Sequence, residues 1–240
     1  GYATRWGARR SIAALAPEHE ATPPAGASFE ELLLWYADAG HAADAAFRNA
    51  ELTRLESGLA LDDVDDLFHQ TRERYEAWLD DLLRATTTAA AADASVAPSR
   101  LQRTVHDCHV SSAEGPTAYV LVDALRYELG AAFCHRLATS KLTVELEAAV
   151  ATPPTITPVG MAAVLPGAGD DFDVELGAGD RLVASVDGSP IRTVADRVKR
   201  LELAHGNVAN LDLDTVAKSA NKELKRKIDG AALVLVRSTE

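Results

Sequence analysis

The stretch that most constrains this chain runs from Ala118 to Leu137. Five consecutive apolar residues, Ala118–Val122 (AYVLV), are followed by Leu125, Leu129, Phe133 and Leu137 at intervals of four. The run has strand length but no polar alternation, which predicts a strand covered on both faces. The spacing after it predicts a helix with one apolar stripe. Similar units follow: a strand over Leu142–Val150, a short helix over Pro158–Leu165, and a strand over Arg181–Val186 closed by the turn pair Asp187-Gly188. Two helices, Thr193–Ala204 and Leu213–Ile228, lead to a last apolar strand, Ala231–Val236. Strands separated by helices predict an α/β fold with a largely parallel sheet. No internal repeat is present.

The residues before this region follow a different rule. Residues 1–27 form an irregular lead-in that ends in the Pro/Gly-rich ATPPAGAS. Ser28 and Glu31 have capping-box spacing, and Leu32, Leu33, Trp35 and Tyr36 follow at helical spacing. A second helix is expected over Ala42–Leu59. A third follows the acidic LALDDVDD, through Leu67, Tyr75, Trp78 and Leu79 to Leu83, and the Ala/Thr run ATTTAAAADASVAPS should end it. The expected domains are thus a helical region, 28–105, and an α/β region, 114–240.

Composition narrows the function classes. The chain has 240 residues, 47% hydrophobic and 25% charged, enough for a substantial core. No apolar stretch approaches the roughly 20 residues of a membrane helix, and no signal-peptide pattern opens the sequence, so a cytoplasmic protein without membrane contact is expected. Two cysteines, Cys108 and Cys134, are expected to be reduced packing residues. The formal charge of −12 disfavours non-specific DNA binding through neutralised phosphates. No phosphate-binding GxxxxGK[ST] loop or Rossmann glycine pattern occurs. The chain opens without methionine and stops straight after a strand-like run, which reads as a piece of a longer protein.

Two residues stand out as chemistry-bearing. Asp123 follows the AYVLV strand, and a parallel strand delivers its next residue to the carboxyl edge of the sheet, where α/β folds bind ligands. Two readings of it stand together: a metal ligand, or the N-cap of a helix starting at Ala124. In TPPTITPVG (Thr152–Gly160), three threonines and three prolines share seven residues. Pro158 suits a first helical turn, which makes Thr157 the expected N-cap, its hydroxyl among free N–H groups that favour an anion. A threonine hydroxyl is a weak nucleophile at neutral pH, so chemistry there calls for a metal, which Asp123 would help to hold. The other reading is a proline-stiffened turn with an ordinary cap.

VLVDALRYELG, PPTITPVGMAAVLPG and the terminal ALVLVRSTE, in this order and spacing, resemble the PglZ domain of BREX phage-resistance systems, a branch of the alkaline phosphatase superfamily. The resemblance covers roughly residues 115 to 240 and implies an alkaline-phosphatase-like α/β fold, of which this chain holds the first half, preceded by an all-helical region. It implies a metal-dependent phosphatase or phosphodiesterase, with a nuclease as one form. Asp123 would be a metal ligand, Thr157 both metal ligand and nucleophile (Thr155 the alternative register), and Arg126 a phosphate or structural contact. Two divalent ions, Zn or Mn, would serve the parent protein. The further Asp and His ligands of the superfamily lie after the last strand here, so little turnover is expected of this chain alone. The implied partners are other defence-system proteins and a phosphodiester or nucleic-acid substrate. The rival expectation is a catalytically silent scaffold within the defence complex.

Other signals have plainer readings. His106, Cys108 and His109 lack the second ligand pair of a zinc site. His205 and Gly206 fit a helix C-terminal cap. The acidic clusters Asp62–Asp66 and Asp170–Asp173, and the basic run Lys218–Lys227, read as solvated faces.

Overall fold

A computed structural model describes residues 21–56 and 65–238. The lead-in up to residue 20 and most of the LALDDVDD cluster lie outside the described residues. The chain forms two compact units, one of residues 1–96 with Arg126–Ala148, the other of Ala97–Leu125 with Ala149–Glu240.

The first unit is helical. Helix α1 (Phe29–Trp35) starts with the expected capping box, Ser28 Oγ accepting from the Glu31 N–H while Glu31 accepts from the Ser28 N–H at 2.8 Å. A π-helical turn, Tyr36–Gly40, joins it to α2 (His41–Glu56). Glycine is required at that turn, because a Cβ at Gly40 would sit 2.8 Å from the Trp35 ring. Helix α3 (Asp65–Ala92) runs through the Ala/Thr stretch instead of ending before it. Alanine is the best helix former, so its tract prolongs the helix where low complexity had suggested a linker.

Asp44 on α2 accepts hydrogen bonds from the Tyr36 and Tyr75 hydroxyls, the latter at 2.6 Å. Burial first, and then this carboxylate, push both phenols above the usual tyrosine range. Phe47 stacks on Tyr75 with ring centroids 4.1 Å apart. Helix α4 (Tyr127–Leu137) belongs to this unit, Tyr127 meeting Tyr36 and His41 edge to face. Its expected apolar stripe is only partial: Leu125 precedes the helix and Phe133 is exposed, whereas Glu128 is buried.

The second unit holds two sheets. A parallel one has the order β1-β6-β5, from β1 (Thr117–Leu121), β5 (Val208–Asp212) and β6 (Leu233–Arg237). In β6, paired on both sides, Leu233, Leu235 and Val236 are all buried. β1 is an edge strand, so the expectation of full cover fails there: Tyr119 is buried but Val120 is 49% exposed. The second sheet is antiparallel, β2 (Phe172–Leu176), β3 (Leu182–Val186) and β4 (Ser189–Ile191). Asp187 and Gly188 link β3 to β4 with φ of 47° and 64°, the left-handed pair of a two-residue hairpin. That pair was legible; the antiparallel setting of the strand before it was not.

Three further expectations change. Leu142–Val150 forms no strand: it lacks a ladder partner among the described residues, and only Val150 makes a bridge, to Leu101. The expected helix Leu213–Ile228 is two, α7 (Leu213–Lys218) and α8 (Asn221–Ile228), broken where Ser219 and Ala220 take extended backbone angles. Cys108 is exposed, so it is not a packing residue, and both cysteines are free. The helix expected over Thr193–Ala204 is α6 (Val194–His205), which starts with a capping box at Thr193 and Asp196 and, as expected, ends at Gly206 with φ of 81°.

His106 is fully buried, and its Nε2 lies 2.9 Å from Nε2 of His205. Its Nδ1 is 2.9 Å from the Asp107 carboxylate and 3.2 Å from the Ser111 hydroxyl. One of the two facing Nε2 atoms donates to the other, and the Asp107 carboxylate beside Nδ1 favours a hydrogen there. Burial, and then the neighbouring His106, hold His205 below the usual histidine range. The unfolded chain therefore takes up a proton near pH 6.5 that the folded chain resists, and stability is lost as pH falls through that value. His205→Gln keeps a donor without the titration. Thermal melts from about pH 7.5 to 5.5 should show a smaller fall in Tm for this variant than for wild type; equal falls would reject the assignment.

Candidate functional site

The parallel sheet places β1 so that Asp123 emerges just beyond its carboxyl end. Two contacts fix its backbone. The Asp123 N–H donates to the Ser238 hydroxyl at 2.9 Å, and the Ser238 N–H donates to the Leu121 carbonyl at 2.9 Å. Ala124 then turns with φ of 54°, its N–H donating to Asp123 Oδ1 at 2.9 Å. The N-cap reading of Asp123 is overturned: α4 starts at Tyr127, and Arg126 is its N-cap residue. The left-handed residue at Ala124 is incompatible with a helix starting there, and Asp123 is left facing the cavity at the strand end.

Thr157 opens helix α5 (Thr157–Ala163). It is the first helical residue; the N-cap position belongs to Ile156, which makes no side-chain cap. The expected capping hydroxyl is used elsewhere. Thr157 Oγ1 donates to Asp123 Oδ2 at 3.0 Å, across 34 positions of sequence. Val159, Ala162 and Ala163 are completely buried, so the helix is anchored by its apolar face while its first residue stays half-buried at the cavity. The cavity has a volume of about 760 Å³, with Asp123, Thr152, Thr155, Thr157 and Gln102 in its wall. Thr155 shares the wall, but its hydroxyl has no hydrogen bond to Asp123 among the described residues.

Gln102 is the residue that sequence reading missed. Its Oε1 accepts from the Thr152 N–H at 2.9 Å, and its Nε2 donates to the Gly160 carbonyl at 3.4 Å. One side chain thus clasps both the start of the proline-rich loop and the helix that carries Thr157. Nothing in the local sequence marks it, because both partners lie at least 50 positions away.

Arg126 lies in the other unit, where its guanidinium is 2.7 Å from Oε1 of the buried Glu128. In this structure its partner is a carboxylate of its own helix.

Asp123 and Thr157 offer hard oxygen donors, the type that suits Mg²⁺, Mn²⁺ or Zn²⁺. They fit as part of one cation site. Among the described residues no group of three His, Cys, Asp or Glu side chains converges to complete it or to hold a second ion. His106, Cys108 and His109 do not form such a group either: His106 is committed to His205 and Asp107, and Cys108 is exposed. No helix of the described residues is long and apolar enough to cross a membrane.

Residues 101–238 match the family described as the BREX system PglZ alkaline phosphatase-like domain. No curated protein and no solved structure matches the chain.

Proposed function

We propose that this chain, which belongs to the PglZ family of alkaline phosphatase-like domains from BREX systems, supplies the nucleophile and two metal-ligating side chains of a phosphoric-ester hydrolase. The observation that carries the reading is the 3.0 Å hydrogen bond from the Thr157 hydroxyl to Asp123, two residues separated by a whole helix and loop. Thr157 is the nucleophile and Asp123 its positioning acceptor. With its hydrogen given to Oδ2, Oγ1 would offer its lone pairs to a phosphorus atom bound in the cavity. Divalent ions, Zn or Mn, would lower the cost of ionising that hydroxyl and would neutralise charge on the phosphoryl group. Asp123 and Thr157 would hold one of them together with ligands beyond the described residues.

The substrate is a phosphodiester, the setting is the cytoplasm, and the partners are other proteins of the defence system. Arg126 serves the structure through Glu128, and a role for it at phosphate would require it to leave that pair. The catalytically silent scaffold has no observation of comparable specificity behind it. Asp123→Asn keeps the size and one acceptor oxygen but removes the charge. In the full-length protein with added Zn or Mn it should lower hydrolysis of bis(4-nitrophenyl) phosphate by roughly 10²- to 10⁴-fold. Wild-type turnover in that variant would end the proposal, and absence of any turnover in the wild type would favour the scaffold.

A further inference from the structure

A second cavity adjoins the start of helix α5. It has a volume of about 740 Å³ and lies between the start of α5 and the antiparallel sheet, with Arg181 and Arg192 in its wall. Ile156 lines both this cavity and the one that holds Asp123 and Thr157, so the two meet at the residue before the candidate nucleophile. Leu182, Val183 and Ile191 supply an apolar floor, and Asp180 is the one acidic residue in the wall.

Both arginines are held by their backbones. The Gly177 N–H donates to the Arg181 carbonyl at 2.8 Å and closes the β2–β3 turn. Gly177 permits this approach, since a Cβ there would lie 2.9 Å from the Val183 side chain. The Arg192 N–H donates to the Asp196 carboxylate at 3.0 Å, beside the capping box of α6. Neither guanidinium forms an ion pair among the described residues. Both arginines are exposed, Asp180 shares the cavity wall and the Asp196 carboxylate lies by the Arg192 backbone; two guanidinium groups beside one cavity, with no ion pair to either among the described residues, suit an external anion. Guanidinium forks match phosphate oxygens in pairs, and an apolar floor between them suits a sugar or base.

We propose that Arg181 and Arg192 form a phosphate subsite flanking Thr157, which selects a single-stranded nucleic-acid chain, with its neighbouring phosphates, over an isolated phosphate ester. This rests on the hydrolase reading for its catalytic meaning, but binding tests it separately. The probe is fluorescein-labelled hexathymidylate, titrated into the full-length protein over a series of salt concentrations. The experiment is run in the Thr157→Ala background, so that no probe is consumed. Arg181→Ala with Arg192→Ala should weaken binding about 10-fold or more, and the slope of log affinity against log salt should become shallower by about 1. Each single variant should show part of the effect. With Thr157 intact, the double variant should lose far more of its turnover of hexathymidylate than of bis(4-nitrophenyl) phosphate.

Unchanged affinity and slope in the double variant would overturn the subsite, whatever the turnover. Arginine-dependent binding in a full-length protein that hydrolyses neither substrate would keep the subsite and remove the hydrolase reading. Equal loss of small-ester turnover would also overturn it, because the arginines would then be acting on Thr157 itself.

Discussion

Replacing Thr157 by alanine in the full-length protein should lower phosphodiester turnover by about 10⁴-fold or more, because loss of a nucleophile removes a covalent path rather than one contact among several. Thr157→Ser restores a hydroxyl in the same place and should recover much of the rate. The fold should be nearly indifferent to either change: Thr157 is half-buried, its helix is held by Val159, Ala162 and Ala163, and the deleted hydroxyl makes one hydrogen bond. Loss of that bond is worth about 1 kcal/mol. Thr155→Ala is the internal control, since Thr155 lines the same cavity without contacting Asp123. If Thr155→Ala were the inactive variant and Thr157→Ala the active one, the nucleophile would be reassigned.

The largest effect on stability should come from Leu235→Ala. Leu235 is 2% exposed in the middle strand of the parallel sheet, between Tyr119 of β1 and Asn210 of β5. The interior cannot collapse around the missing atoms without disturbing two ladders. The cost should be about 2–5 kcal/mol, a fall in Tm of roughly 5–15 °C for a chain of this size. Leu176→Ala removes the same atoms at a residue that is 67% exposed, and should change stability by no more than about 0.5 kcal/mol. Similar melting curves for the two variants would mean that β6 is not the centre of the core.

Asp123 and Thr157, which meet at the candidate site, were legible because local rules converge on them. A strand delivers its following residue to the sheet edge, and proline stiffens a helix start, so AYVLV pointed to Asp123 and TPPTITPVG to Thr157. The capping box at Ser28, the Asp187-Gly188 turn and the Gly206 cap are equally local, and the structure has all of them.

What local pattern could not supply is who pairs with whom. Leu142, Val144 and Leu146 alternate like strand residues, yet a strand exists only where another chain segment offers its N–H and C=O groups, and among the described residues none does. The reverse holds for β5, whose VANLD is half polar and short but lies against the buried β6. The same limit hid the Gln102 clasp and the His106–His205 pair, whose partners are 50 to 99 positions apart. Arg126 shows another limit. A family position suggested a phosphate or structural contact, and its neighbour in the structure, the buried Glu128, is a pairing that the local pattern did not announce.

The bond between the Asp123 N–H and Ser238 ties the candidate site to the order in which its pieces are made. Ser238 directly follows β6, which is made after β1 and β5 yet pairs between them. Until β6 inserts, neither neighbour has that ladder and the Asp123 N–H lacks its Ser238 acceptor. The backbone on which Asp123 is held thus waits for the latest-made of these three strands.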